Sequence, residues 1–189
     1  GHDKRFASRP LRINGTLLAP WQQYVDQLDG GMTYIASITP PFTTVAHGDP
    51  NPGNVMLRSN LSTVEIKLID PKEWQTGEYL FDVAKLTHFL LGTGPIEKPA
   101  PGDPIRVDYL EGPDVAELNY QYELPAWTQG VVAACTERVR QFADASGDKH
   151  WLARYELGMA ANLLGLPAGR LKKDRPDAGL ALYAEGLLW

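Results

Sequence analysis

The chain has 189 residues, 43% of them apolar and 22% charged, a globular composition long enough to bury one domain core. Lys and Arg number 18 against 23 Asp and Glu, a net charge of −5 with no basic run, which argues against the backbone of a nucleic acid as partner. No apolar stretch is long enough to span a bilayer, no signal peptide is visible, and Cys135 stands alone, so no internal disulfide forms.

These features predict a reducing, cytoplasmic setting. Cys135, inside "VVAACTERV", reads as a buried, inert thiol. Asn14-Gly-Thr16 and Asn60-Leu-Ser62 match a glycosylation pattern and are read as unmodified. Gly1-His2, with no initiator Met, reads as the remnant of a cleaved tag, so a fragment of a longer parent is expected.

In chain order, "LLAPWQQYVDQLDGG" predicts a helix: Leu17, Leu18, Trp21, Tyr24, Val25 and Leu28 recur at three- and four-residue steps until Gly30-Gly31. "MTYIASI" reads as a short helix or an extended piece ended by Pro40-Pro41. "FTTVA" predicts a strand. "NVMLR" and "VEIKLID" predict two strands across the polar turn "SNLS", the second with Val64, Ile66 and Leu68 on one face. "YLFDVAKLTHFLL" predicts a strong amphipathic helix. A Pro- and Gly-rich stretch follows, with two strand-like pieces, "IRVDYL" and "AELNYQYEL". The rest reads as three helices, the first with Pro125 in its opening turn. The organisation expected is a single unit: a helical segment over 1–40, a core over 41–91, an acidic insert over 92–124 and a helical bundle over 125–189.

The segment "VAHGDPNPGNVML" concentrates the chemistry. Asp49 follows His47 by two residues and Asn54 follows Asp49 by five, among prolines and glycines that stiffen the bend. Asp70 ends the next apolar strand, before Pro71. Loops at strand ends are where rigid scaffolds present reactive groups. Mg²⁺ takes oxygen ligands, often only one or two protein side chains, and fills its other positions with water and substrate phosphate. Asn54 and Asp70 suit that sparse pattern, which leaves Asp49 to accept a proton from a hydroxyl nucleophile.

"HGDPNPGN" followed by "LIDP" resembles the catalytic segment of the kinase fold, H-x-D-x-x-x-x-N and then a metal-binding Asp. The Gly after His, the "PGNVML" tail and "GEYLFDVAKL" resemble the aminoglycoside phosphotransferase and choline kinase-like family more than protein kinases. The resemblance covers roughly residues 45–91. It implies an α+β fold, the mainly helical C-terminal lobe of a protein-kinase-like enzyme with a small β-hairpin core around the catalytic loop. It implies Asp49 as catalytic base, Asn54 and Asp70 as Mg²⁺ ligands, His47 as a brace for the loop, and Asp82 as a support that hydrogen-bonds the loop from below. A plain helix cap is the other reading of Asp82, and a turn residue before proline the other reading of Asp70. The implied activity is transfer of the γ-phosphoryl group of ATP to the hydroxyl of a small-molecule acceptor.

A working kinase also needs an N-terminal lobe with a glycine-containing strand pair and a strand lysine. The 46 residues before His47 read mostly as helix, and Lys4 has no strand around it. The expectation is a catalytic lobe without its nucleotide clamp, which alone binds ATP weakly and turns over little. For the acceptor, Glu97, Asp103, Asp108, Glu111, Asp114, Glu117 and Glu123 face only Lys98 and Arg106 in the same stretch. This suits either a cationic sugar or amino alcohol or a merely solvated acidic loop. Tyr109, Tyr120, Tyr122 and Trp127 suit either stacking on such a ligand or the core. "IDPKEW" departs from the commoner I-D-W/F form, which weakens transfer of any substrate from the family. His88 and His150 lie in helical stretches and read as packing or surface residues. A kinase-like scaffold that has lost its chemistry is the competing class, although Asp49, Asn54 and Asp70 are all in place. A two-metal phosphoesterase is disfavoured, because it needs a second cluster of His and carboxylate ligands.

Overall fold

Asn14 and Gly15 both sit in the left-handed region, with φ of 46° and 86°. That pair of conformations is what a two-residue hairpin requires, and Asn-Gly is the dipeptide that best supplies it. The turn joins strand β1 (Leu11–Ile13) to β2 (Thr16–Leu18), paired antiparallel. The helix expected from Leu17 therefore starts later, as α1 (Trp21–Asp29), and the segment 1–40 is not purely helical. The computed structural model describes residues 9–29, 31–60, 62–72, 76–102, 104–171, 173 and 175–189. Expectations placed on Gly1, His2, Lys4, Gly30, Asp103 and the side chains of Trp21, Val25 and Leu28 lie outside the described residues.

"MTYIASI" resolves into helix α2 (Met32–Ile38). Only Thr44–Val45 of "FTTVA" is strand, β3, paired with β6 (Thr76–Gly77). Between them stand β4 (Val55–Ser59) and β5 (Val64–Leu68), antiparallel in the register Val55↔Leu68. Asn60 Oδ1 closes their turn by accepting from the N–H groups of Ser62 and Thr63. The Val64, Ile66 and Leu68 face is exposed rather than covered, as are Met56 and Leu57 opposite, so the alternation marks a strand without marking a core.

Helix α3 (Tyr79–His88) runs through a widened π turn (Phe89–Thr93) into α4 (Gly94–Glu97). A Cβ on Gly94 would lie 2.7 Å from the Phe89 carbonyl oxygen, so this turn needs glycine at that position. The stretch that follows is not a free-standing insert. Its strands β7 (Arg106–Leu110) and β8 (Ala116–Gln121) join the N-terminal hairpin in one sheet of order β2-β1-β8-β7, with β1 and β8 parallel. Asn14 fastens that junction, donating to Tyr120 O and accepting from Tyr120 N.

Four helices complete the chain: α5 (Ala126–Ser146), α6 (Trp151–Leu164), α7 (Pro167–Leu171) and α8 (Pro176–Leu188). Pro125 stands just before α5 as its N-cap, and Gly147 ends the helix at φ 72°. The fold is therefore mixed α+β with small sheets. Its core has three parts. Leu11, Ile13, Ala116 and Leu118 of the sheet pack on Ala184 of α8. Leu80 and Ala84 of α3 pack on Val139, Tyr155 and Met159. Ile96 and Leu163 pack on Ala178, Ala181 and Leu182 of α8.

The start of α3 is also anchored by charge. Arg154, 2% exposed at its side chain, ion-pairs with Glu78 and with Asp148, and Tyr79 donates its hydroxyl to Asp148 at 2.8 Å. Burial, with the Asp148 hydrogen bond behind it, pushes the Tyr79 phenol above its ordinary value. This network fixes the helix that lies under the polar loop. Among the described residues no helix is long and apolar enough to cross a membrane.

Candidate active site

The loop from His47 to Asn54 is tied at both ends of its bend. Asp82, one turn into α3, accepts from the His47 N–H at 2.6 Å and from the Gly48 N–H at 2.8 Å, one on each carboxylate oxygen. It caps no helix: the N-cap is Glu78, and the Asp82 carboxylate turns to the loop. Gly48 sits at φ 83° and is buried, so the bend needs a residue free of Cβ strain.

The His47 ring braces the other side. Nδ1 faces the Asp49 N–H at 3.3 Å and so accepts, which leaves the ring proton on Nε2 to donate to Ile69 O at 2.9 Å. Ile69 in turn donates its N–H to Asn54 O at 3.0 Å, and Lys72 N donates to His47 O at 2.9 Å. These bonds clamp the end of β5, and hence Asp70, against the loop. Pro52–Asn54 forms one 3₁₀ turn, capped by Asn51 Oδ1 accepting from Gly53 N at 2.9 Å. The prolines and glycines of the motif thus each serve its shape.

Asn54 Nδ2 donates to Asp49 O at 2.9 Å, which fixes the amide and leaves its oxygen as the remaining donor atom. Asp70 holds φ 59°, a left-handed conformation uncommon outside glycine, and its side chain is exposed. A non-glycine residue held there is an outlier of the kind that collects at functional sites. The structure thus brings His47, Asp49, Asn54, Asp70 and Asp82 into one loop cluster. Among the described residues no three His, Cys, Asp or Glu side chains gather into a metal site. Asn54 and Asp70 are a two-oxygen set, which fits Mg²⁺ sharing its shell with water and phosphate and does not fit a cage built by protein alone.

Two further residues belong to this cluster and were not anticipated. Lys72 Nζ lies 3.7 Å from Asp49 Oδ2, and Lys85 Nζ lies 3.6 Å from Asp49 Oδ1. The signal for Lys85 was its place one turn beyond Asp82 on the same helix. Lys72 could be found only through the fold, since its placement depends on the bond to His47 O.

The other candidates lie elsewhere. Glu97 pairs with Arg170, Glu111 with Arg9 at 3.5 Å and Glu117 with Arg12 at 3.7 Å, on α4 and on the four-stranded sheet. Tyr120 and Tyr122 are built into the packing: their rings stack at 6.1 Å, Tyr120 donates to Glu185 and Tyr122 donates to Leu91 O. Trp127 is exposed on a largely apolar hollow of about 430 Å³, lined also by Phe89, Leu90, Pro95 and Leu124, at the π turn. His150 is exposed, whereas His88 is buried beneath that turn with Nδ1 2.9 Å from Thr93 Oγ1. Cys135 is partly buried on α5, and burial raises its thiol.

Compared with protein-family models, with curated proteins and with solved structures, the chain matches none.

Proposed function

We propose that this chain carries the catalytic loop of a magnesium-dependent phosphotransferase that moves the γ-phosphoryl group of ATP to a hydroxyl of a small molecule. With it goes the finer fold reading, a C-terminal lobe of the protein-kinase-like kind. The observation that carries the proposal is the double clamp on the loop that holds Asp49 and Asn54, Asp82 below and His47–Ile69 beside. The roles given to each residue are those that the resemblance to aminoglycoside phosphotransferases and choline kinases implies.

In this reading the acceptor hydroxyl lies at the Asp49 carboxylate and gives it a proton. The acceptor oxygen forms its bond to the γ-phosphorus as the bond from that phosphorus to the bridging oxygen breaks, and ADP leaves. His47 serves as the brace, with both ring nitrogens committed to backbone groups. Asn54 and Asp70 would hold the magnesium ion, which when bound neutralises charge on the phosphates. The backbone ties leave the loop little to reorganise, and such positioning is a large part of catalysis in phosphoryl transfer.

The test is phosphoryl transfer followed by ³¹P NMR against a panel of alcohols, with Asp49→Asn as the variant. Loss of proton acceptance should lower turnover by about 10²-fold or more with an unchanged melting curve. Turnover within tenfold of the unsubstituted chain removes Asp49 as the base.

A further inference from the structure

Asp49 has two ion-pair partners among the described residues, both lysines. Lys72 comes from the segment after β5 and Lys85 from α3, and each addresses a different oxygen of the one carboxylate. At 3.7 and 3.6 Å these are loose ion pairs and not short hydrogen bonds. An ammonium group has three donors, and neither lysine spends them on Asp49. Lys72 is half exposed and Lys85 about a quarter exposed, so both remain open to a ligand. Both are also held in place: Lys72 by its N–H on His47 O, Lys85 by the helix that carries Asp82. Lys72 and Lys85 thus bring free N–H donors to a loop cluster that otherwise carries the carboxylates of Asp49, Asp70 and Asp82.

Of the acidic residues in the 97–123 stretch, Glu97, Glu111 and Glu117 are matched to arginines on other elements. Resting on the phosphotransferase reading, we propose that Lys72 and Lys85 form an oxyanion subsite at Asp49. It takes a phosphate or carboxylate oxygen that arrives either on the transferred phosphoryl group or on an acidic acceptor.

The test uses inorganic phosphate without magnesium, so that neither metal nor nucleotide takes part, and reads binding from ³¹P line width. Binding is expected in the millimolar range. Lys72→Met and Lys85→Met should each weaken it about fivefold, the loss of one partly exposed charge contact. Asp49→Asn should tighten it, because the competing carboxylate charge is gone. Lys72 lies on the surface, so Lys72→Met decides the matter even where Lys85→Met fails to fold. No phosphate binding, or unchanged affinity in Lys72→Met, overturns the subsite, and so does weaker binding in Asp49→Asn.

Competition separates the two sources. Displacement of phosphate by a non-hydrolysable ATP analogue with magnesium assigns the lysines to the transferred group. Displacement by glycerate and not by the nucleotide assigns them to an acidic acceptor, and displacement by neither overturns the proposal. A chain that binds phosphate as stated but whose transfer survives Asp49→Asn within tenfold ends the reading of Asp49 as base and leaves the subsite standing.

Discussion

Asp82 is the residue on which the loop's geometry turns. Its two oxygens take the N–H groups of His47 and Gly48, and Gly48 is buried away from water. A buried donor that loses its partner costs about 1–3 kcal/mol, and charge-assisted bonds lie at the upper end. Asp82→Ala strands two donors at once, so it should destabilise the chain by about 2–4 kcal/mol. Asp82→Asn keeps one acceptor oxygen and should cost roughly half as much. Urea denaturation checks this through a lower midpoint at unchanged slope. Equal costs for the two substitutions would show that the second bond contributes nothing. The sequence placed Asp82 at a helix start but left open whether it capped the helix or held the loop. The choice needed β3, β6 and the turn into α3, because the distance from residue 47 to residue 82 is set by the fold and not by spacing.

At the scale of elements, α3 and α6 approach closely at one point. A Cβ built on Gly158 would stand 2.9 Å from Ala84 Cβ, closer than real side chains come, and Ala84 is fully buried. Gly158→Ala therefore forces the helices apart although alanine is the better helix former. The overpacking should exceed the propensity gain of about 1 kcal/mol and leave a net loss of about 1–2 kcal/mol. A thermal melt reads it, and a raised melting temperature would refute the close packing. Movement of α3 also moves Asp82, so activity should fall with stability. The helices themselves were legible, α3 by its apolar stripe and α5, α6 and α8 as long helix-forming segments, α8 apolar on nearly every side. The β1–β2 hairpin carries a signal too, Asn14-Gly15 between "LRI" and "TLL", although Leu17 and Leu18 also suit a helical repeat. The parallel pairing of Leu11–Ile13 with Ala116–Leu118 was not legible. Nothing in three-residue strands specifies a partner a hundred residues away, and the pairing is chosen by the shared core on Ala184.

For the whole molecule, the clearest link between site and stability is His88. It lies 3% exposed, bonded through Nδ1 to Thr93, and its Nε2 has no partner among the described residues. Burial above all, with the nearby Lys85 behind it and Asp49 opposing, lowers its pKa to about 4. The unfolded chain binds the proton near pH 6.5, whereas the folded chain resists it until about 4. Between those values the unfolded state holds more protons, so stability falls as the pH drops. It is fully present above about 6.5 and declines through the folded value, by at most about 3 kcal/mol for this one group. His88→Asn can keep a hydrogen bond to Thr93 and does not titrate. Its unfolding free energy should therefore run below that of the unsubstituted chain at pH 7, and the gap should narrow as both approach pH 4. Carboxylates titrate in the same window, but they do so in both chains, and the difference between the two curves isolates the histidine. Parallel curves from pH 7 to 4 would mean that His88 takes up its proton as readily in the folded chain as in the unfolded one, and the buried position beneath the π turn would have to be abandoned.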